Sequence, residues 1–163
     1  MLSDCIKIQL KEGREFVVSR KAAELSELLT GTMNDYPDNP VLPLTDVDDK
    51  TAEKVVEYLL HFNGVNPPEI EKPLPSGDLK SVTDEWSFNY VDKISLEDLV
   101  NITVAANFMG IQSLLDLCCA RFASMCKDKS EEEIFKAFNI TETFTEEEKE
   151  KIKQENSWIE ENI

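Results

Sequence analysis

The segment 95–126, SLEDLVNITVAANFMGIQSLLDLCCARFASMC, decides the fold of this chain. Ser95 with Asp98 three residues later is typical of a helix start, and Gly110 is typical of a helix end. The segment therefore predicts one helix over 95–109 and a second over 111–126. Both carry apolar residues on more than one face, which indicates burial on two sides. The apolar stripe of the second helix consists of Ile111, Leu114, Leu115, Cys118, Phe122 and Met125, widened by Leu117 and Cys119.

The chain after this segment is acidic and poor in hydrophobic residues, yet it holds several large apolar side chains. Ser130 with Glu133 forms a capping-box pattern, which predicts a short helix. Thr145 with Glu148 repeats the pattern and predicts a second helix. Helices this polar have little of their own to bury, so large apolar groups on them indicate a surface that a partner covers. Trp158 is then either the sole anchor of the last helix or a contact to another protein. The large apolar residues here are Ile134, Phe135, Phe138, Ile140, Phe144, Ile152, Trp158, Ile159 and Ile163.

The amino-terminal part of the chain predicts a small sheet. Apolar and polar residues alternate over 6–10, which is the period of a half-buried strand. Residues 15–18 predict the strand that returns after a turn at 11–14. A third strand is predicted over 41–44, and it should lie at an edge because Pro43 has no backbone N–H to donate.

Three further helices are predicted around these strands. The first covers 19–29 and ends at Gly31. Apolar residues spaced three and four apart predict the second over 52–60, behind a group of capping aspartates. A short third helix covers 85–91. The segment 63–85, between the second and third of these helices, is rich in proline and glycine. No interaction within it offsets the entropy lost when a chain becomes ordered, so we predict a mobile loop. The layout is α+β, with a small sheet and a helical majority.

The composition limits the classes of partner. The chain has 163 residues, a length that suits a single domain with an extension. Its net charge is −16. Such a charge repels phosphate backbones and anionic membranes and favours basic partners, so we expect no nucleic-acid or membrane binding. The start of the chain does not resemble a signal peptide, and four cysteines without C-x-x-C spacing suit reduced thiols. A cytoplasmic and nuclear location is therefore expected.

The residues that most often carry catalysis point to structural roles. His61 is the only histidine and has no candidate nucleophile near it in sequence, so we interpret it as structural. Cys118 and Cys119 point about 100° apart on a helix and cannot chelate one metal ion together. We interpret them and Cys126 as small buried hydrophobic residues. The enzymatic alternative, a nucleophilic Cys119 or Cys126, has no evident base to activate it. No catalytic residue, metal or cofactor is predicted.

Three stretches of the sequence resemble the Skp adaptor family, whose members link F-box proteins to a cullin in SCF-type ubiquitin ligases. Residues 104–116, VAANFMGIQSLLD, are similar to the family's AANYLDIKGLLD. Residues 138–148, FNITETFTEEE, resemble its FNI…DFTEEEE, and 155–158, ENSW, resemble its terminal ENQW. Because the three stretches keep their order and spacing, the resemblance extends over nearly the whole chain.

The resemblance implies a BTB/POZ-type fold over 1–126 and an F-box-binding helical extension over 127–163. It implies a non-catalytic adaptor that holds a cullin with the first part and an F-box protein with the tail. The cullin contacts it implies are Thr103, Asn107 and Phe108, together with the loop before Val41. The F-box contacts it implies are Cys119, Phe122, Cys126, Ile134, Phe138, Ile140, Asn156 and Trp158.

Several positions depart from the family pattern. Phe108 stands where tyrosine is usual and Thr103 where an aliphatic residue is usual, both at the implied cullin surface. Phe122 and Cys126 stand at aliphatic positions of the implied F-box groove. One alternative therefore stays open: an F-box partner in a non-ligase complex, such as a kinetochore or trafficking assembly, with weak or no cullin binding. A homodimeric BTB protein is a further alternative that leaves the tail helices without a role, whereas the adaptor should be monomeric or weakly dimeric.

Overall fold

The computed structural model describes residues 4–141 and 144–157, and the chain divides into two compact units, Met1–Asp128 and Lys129–Ile163. This architecture confirms the α+β class and is consistent with the BTB/POZ-type fold. The first unit contains β1 (Cys5–Leu10), β2 (Glu15–Ser19), α1 (Arg20–Ala23), α2 (Glu27–Asp35), β3 (Val41–Leu44), α3 (Asp49–Phe62), a 3-10 turn (Leu79–Ser81), α4 (Glu85–Asp92), α5 (Leu96–Met109) and α6 (Gln112–Cys126). The second unit contains α7 (Glu131–Ala137) and α8 (Glu146–Glu155).

The three strands form one sheet in the order β2-β1-β3. β1 pairs antiparallel with β2 and parallel with β3, so that Ile8 lies opposite both Phe16 and Leu42. β3 lies at an edge, which confirms the prediction from Pro43. Alternate side chains point into the core, as the period of two requires. The buried strand residues are Ile6, Ile8, Leu10, Val18, Leu42 and Leu44.

The helix α5 is the centre of the first unit. It packs against α3 on one side and α6 on another, which confirms its predicted burial on more than one face. α6 in turn packs against α4 as well as α5. The buried apolar residues of these two helices are Leu99, Ile102, Ala105, Ala106, Met109, Leu114, Leu117, Cys118 and Ala120.

The single helix predicted over 19–29 is wrong, because the chain forms two helices there. α1 ends at Ala23 and α2 begins at Glu27, so Gly31 lies inside α2 instead of ending a helix. The break occurs at Ser26, which is the N-cap of α2 and has extended backbone angles. A serine hydroxyl satisfies the free N–H groups at a helix start, and this favours a new helix over continuation of the old one.

The Ser26 hydroxyl also joins α2 to the end of α5. It accepts the Leu29 N–H at 3.2 Å and donates to the Met109 carbonyl at 2.6 Å, with the whole serine buried. One hydroxyl therefore serves two backbone groups in the core. This bond fixes the carboxyl-terminal turn of α5, where Asn107 and Phe108 lie.

We expect Ser26→Ala to lower the free energy of unfolding by about 2–4 kcal/mol. The loss combines a missing helix cap, about 1 kcal/mol, with a buried carbonyl that loses its donor, about 1–3 kcal/mol. Urea denaturation followed by circular dichroism measures it. Ser95→Ala is the matched control, because Ser95 caps α5 at the exposed surface and should cost about 1 kcal/mol. Equal losses in the two variants would contradict the role of Ser26.

The segment 63–85 has more core contacts than the sequence suggested. Leu79 is buried in the 3-10 turn, and Ile70 and Leu74 pack partly against the core. Asp84 caps α4 by accepting the Ser87 N–H at 3.0 Å. The mobility of this segment stays a prediction, but the premise that it has nothing to bury is wrong.

Aromatic rings cluster where α3 meets α4. The His61 ring stacks on Trp86 with 3.7 Å between centroids, and Trp86 stacks on Tyr90 at 5.0 Å. Tyr58 also contacts this cluster, with its ring centroid 5.8 Å from that of Tyr90. Stacked and tilted aromatic pairs stabilise a fold beyond the burial of their area. This packing agrees with the structural role predicted for His61.

Candidate partner-binding surfaces

A strip of exposed apolar side chains runs along α5. Val100, Val104 and Phe108 are spaced four residues apart, so they lie on one face of the helix. Their exposed fractions are 47%, 64% and 62%. Apolar groups this exposed and this close together are typical of a surface that a partner covers. We call these three residues the α5 strip.

The α5 strip borders a small cleft at the end of β3. Val104 and Phe108 form one wall of this cleft of about 160 Å³, and residues 43–47 form the other. Pro43 is exposed here because the sheet ends at β3. The cleft extends the apolar surface beyond one helix. Sequence reasoning singled out Phe108 but missed Val104 and Pro43.

The end of α5 is held in place by its cap. Gly110 has a φ of +63°, and the Ile111 N–H donates to the Ala106 carbonyl at 2.9 Å, the pattern of a Schellman motif. A Cβ at Gly110 would lie 2.9 Å from the Cβ of Glu27. Both the backbone angle and this close approach require glycine. The predicted helix stop is confirmed.

The implied cullin contacts do not all lie together. Asn107 and Phe108 are adjacent and exposed at the end of the α5 strip. Thr103 is only half-exposed, its hydroxyl donates to the Leu99 carbonyl at 2.6 Å, and it lies beside the Cys118 thiol. The structure thus groups Thr103 with α6 and separates it from the strip. The contact role of all three residues stays a prediction.

The loop before Val41 exposes one large side chain. Tyr36 caps the end of α2 and is largely exposed, whereas Pro40 is buried. The Pro40 carbonyl accepts the Lys7 N–H at 3.1 Å, which ties the end of the loop to β1. The loop therefore exposes Tyr36, while a backbone hydrogen bond holds the end of the loop at Pro40 against β1. Its contact with a cullin stays a prediction.

A second surface lies on the outer face of α6. Cys119 and Cys126 are exposed, and Phe122 between them is half-buried and packs partly against the core. The spacing of three and four residues puts these implied F-box contacts on one helix face. The prediction that Cys119 and Cys126 are buried is wrong. The inward stripe of α6 meets α4 and α5, and the two cysteines lie outside it. We call Cys119, Phe122 and Cys126 the α6 face.

The neighbouring Cys118 confirms its predicted burial. Burial raises the pKa of its thiol to about 12, although a hydrogen bond with the Thr103 hydroxyl acts in the opposite direction. The thiol is therefore protonated at neutral pH. Since the thiolate is the nucleophilic form, Cys118 is chemically inert in the folded chain.

In the second unit, α7 begins at the predicted capping box. The Glu133 N–H donates to the Ser130 hydroxyl at 3.3 Å, and the Glu133 carboxylate accepts the Ser130 N–H at 2.9 Å. These hydrogen bonds hold the pKa of the Glu133 carboxyl below its usual range, with the nearby Lys129 acting the same way. The three glutamates of this turn thus stabilise a helix start.

The end of α7 presents an exposed isoleucine. Asn139 adopts a left-handed φ of +54°, and the Ile140 N–H donates to the Phe135 carbonyl at 2.8 Å, a Schellman motif. This turn directs Ile140 outward, where 45% of it is exposed, while Ile134 and Phe138 are half-buried. Three implied F-box contacts therefore lie within one turn and its cap.

α8 has no buried residue in the part of the chain that the structure describes. It begins at the predicted Thr145 capping box. Ile152 within the helix and Phe144 just before it are exposed. Asn156, an implied F-box contact, is exposed and its side-chain amide donates to the Ile152 carbonyl at 2.8 Å. Trp158, the remaining implied contact, lies outside the described residues.

Over residues 4–141 and 144–157, no three His, Cys, Asp or Glu side chains are grouped so that they would hold a metal ion. None of the helices in these two ranges is long and apolar enough to cross a bilayer.

Comparison with known proteins identifies similar chains. Residues 112–159 match the Skp1 family, dimerisation domain. The S-phase kinase-associated protein 1 homolog of Tetrahymena thermophila is 37% identical over 156 residues, which cover 96% of this chain and 94% of the relative. The E3 ubiquitin ligase complex SCF subunit sconC of Arthroderma otae is 35% identical, covering 95% of this chain and 94% of the relative. The sconC subunit of Aspergillus clavatus is 34% identical over 98% of this chain and 100% of the relative.

Proposed function

Because this chain belongs to the Skp1 family, we propose that it is an adaptor that links F-box proteins to a cullin in an SCF-type E3 ubiquitin ligase. Relatives that this chain covers over 94% and 100% of their length are named as SCF subunits, which supports this role. The observation that carries the proposal is that exposed apolar groups occur on two different helices of the first unit, in the α5 strip and the α6 face. A linking protein needs two such surfaces.

The α5 strip is the proposed cullin surface. Asn107 and Phe108 lie at its end, and the cleft beside Pro43 widens it. A helix of the cullin that lays apolar side chains along Val104 and Phe108 would bury both and fill the cleft. We include Thr103 as a supporting residue, because its hydroxyl lies between α5 and α6.

The proposed F-box contacts are the α6 face in the first unit and, separately, residues of the tail. Apolar groups on α7 and at its end gain a shared core when the helices of an F-box protein pack against them. The polar character of α8 supports this, since it holds no buried residue among those described. The proposed contacts are Cys119, Phe122, Cys126, Ile134, Phe138, Ile140, Asn156 and Trp158.

The adaptor role requires no catalysis by this chain. It contributes to ubiquitin transfer by holding the substrate receptor at a fixed distance from the catalytic subunits, without a cofactor. Its packed helices α3, α5 and α6 suit such a rigid spacer. We propose that it works in the cytoplasm and nucleus, and that the free chain is monomeric or weakly dimeric.

The alternative function, an F-box partner outside a ligase, differs only at the cullin surface. Phe108 has no hydroxyl there, which favours a weaker cullin contact than a tyrosine would make. Restoring an aliphatic residue with Thr103→Val separates the two functions. A gain in cullin affinity, with F-box affinity unchanged, would indicate that this chain is specialised for non-ligase complexes.

Cysteine alkylation tests the F-box surface, because two of the proposed contacts, Cys119 and Cys126, are exposed cysteines that the reagent can label. In a Cys5→Ser background, N-ethylmaleimide should label the exposed Cys119 and Cys126, while the buried Cys118 stays unlabelled. An F-box domain recovered with the chain from its own cell extract should slow labelling of both exposed thiols by about tenfold or more, since an interface excludes solvent and reagent. Mass spectrometry of the peptides gives the rates.

Cys118 is the internal control, because labelling of this residue reports unfolding. Addition of the amino-terminal domain of a cullin should leave the labelling of Cys119 and Cys126 unchanged. Unchanged rates with saturating F-box domain would contradict the proposed surface.

A further inference from the structure

The segment 72–77 borders the α6 face, and the proposed function makes no use of it. The Lys72 ammonium is ion-paired with Asp116, with 2.8 Å between Nζ and Oδ1. This hydrogen-bonded pair holds the pKa of Lys72 above its usual value, and the nearby Cys119 sulfur acts in the same direction. The segment therefore begins beside Cys119, the first residue of the α6 face. We call residues 72–77 the strap.

The strap ends at the other end of α6. Gly77 lies so close to the C-cap of this helix that an added Cβ would be 3.3 Å from the Lys127 carbonyl oxygen. Asp116 and Lys127 are about 16 Å apart along a helix that rises about 1.5 Å per residue. The Cα atoms at the two ends of the strap are at most about 18 Å apart. The strap therefore follows α6 along the length that carries the α6 face, with little slack.

Apolar side chains hold the strap against the first unit. Leu74 is half-buried and packs against the core, and Leu79, just after the strap, is buried. The ion pair adds little, because the Lys72 side chain is 63% exposed and a pair in water is weak. Pro73 and Pro75, on either side of Leu74, are exposed. The strap thus turns its leucine inward and two proline rings toward the solvent.

The strap and the α6 face are continuous. Asp116 and Lys127, which the strap contacts, lie on one side of α6. At about 100° per residue, Ala123 lies between that side and the exposed cysteines Cys119 and Cys126. Ala123 is exposed and small, so it does not separate the proline rings from the α6 face. A partner that covers the two cysteines therefore also meets the strap.

We propose that the strap is a further F-box contact, and that an apolar helix face of the F-box protein packs on Pro73 and Pro75 as well as on the α6 face. This inference rests on the proposed function, which assigns the α6 face to the F-box protein. Proline rings suit such a contact, because their burial costs almost no side-chain entropy. The strap is irregular chain outside the helices, so its sequence sets which F-box proteins fit while α6 stays the same.

Pro75→Asp tests the proposal by calorimetry with the F-box domain recovered with the chain from its own cell extract. A carboxylate in an apolar contact loses its water without gaining a partner, so the affinity should fall about tenfold or more. Pro68→Asp is the matched control, because Pro68 is an exposed proline that precedes the strap, and it should change the affinity by less than about threefold. An unchanged affinity for Pro75→Asp, or an equal loss in both variants, would overturn the proposal.

Hydrogen–deuterium exchange on the parent chain gives a test that depends on no variant. Saturating F-box domain should slow the exchange of the strap amides Leu74, Ser76 and Gly77 about tenfold or more, and the amino-terminal domain of a cullin should leave it unchanged. Unchanged strap exchange with Cys119 and Cys126 protected from alkylation would overturn the role of the strap and leave the proposed function standing. An F-box domain that does not bind the parent chain would overturn both.

Discussion

The double variant Asn107→Lys, Phe108→Lys should lose cullin binding by about 100-fold or more while it keeps its fold and its F-box affinity. Phe108 is 62% exposed at the end of the α5 strip, so its replacement removes no core contact. An ammonium group buried in an apolar interface must lose its water without gaining a partner. This loss of hydration costs at least as much free energy as a 100-fold loss of affinity, which is about 2.7 kcal/mol. Calorimetry with the amino-terminal domain of a cullin measures this loss.

A control with the same change in charge makes this result specific. Val17→Lys, Leu60→Lys also adds two positive charges by replacing exposed side chains, but on β2 and α3. Because the chain carries a net charge of −16, two lysines anywhere alter its long-range field, and the control measures that effect. An equal loss in both variants would show that the field and not the α5 strip determines cullin binding. Loss of F-box binding in the first variant would indicate damage to the fold.

Trp158→Ala should weaken F-box binding by roughly 2 kcal/mol, about 30-fold, and leave the first unit unchanged. Tryptophan at the centre of an interface is typically among the few residues that carry most of the binding energy. The sequence around Trp158 is strongly polar, so an interface is the environment in which its ring would be covered. Calorimetry with an F-box domain gives the affinity, and the thermal unfolding of the first unit shows whether the fold is intact.

The control for Trp158 is another apolar residue of the same region. Ile152→Ala removes an exposed apolar side chain from α8 that the F-box set does not include, and it should change the affinity by less than about threefold. If both variants lose F-box affinity equally, the tail binds through its total apolar surface, and Trp158 makes no specific contact. An unchanged affinity for Trp158→Ala would count against the assignment of the tail.

The sequence predicts the elements of this fold well where the signal is local. Alternation at Ile6 and Ile8 depends on neighbouring residues only, and so do the capping boxes at Ser130 and Thr145. All of these predictions are confirmed. Ser26 is different, because no glutamate follows three residues later and its hydroxyl bonds to a carbonyl 83 residues away along the chain. Long-range pairing of this kind leaves no periodic pattern, which explains why the break between α1 and α2 was missed.

Leu79 was missed for a related reason. An isolated apolar residue between prolines and charges has no period, so its burial depends on what the rest of the fold places beside it. The 3-10 turn at 79–81 contacts α4 and α6. Both helices come later in the sequence, and α6 begins only at Gln112. Composition described the segment correctly as irregular but gave no information on its contacts.

The candidate surfaces show the same limit. Helical spacing indicates that α5 and α6 have apolar residues on several faces, but it does not indicate which face the fold covers. Val104 is exposed and Cys118 is buried, although both belong to apolar stretches. The prediction of buried Cys119 and Cys126 was wrong for this reason. Among the residues implied by family resemblance, Asn107, Phe108, Cys119 and Cys126 are exposed, and their contact roles stay predictions.

In the proposed role, this chain binds a cullin and an F-box protein at the same time through two independent surfaces. Size-exclusion chromatography with light scattering, on a mixture of this chain with an F-box domain and the amino-terminal domain of a cullin, tests it most directly. We predict one species with the summed mass of one copy of each, and an F-box affinity that saturating cullin leaves unchanged. Displacement of the F-box domain by the cullin, or binding of the F-box domain alone with no cullin in the complex, would contradict the account.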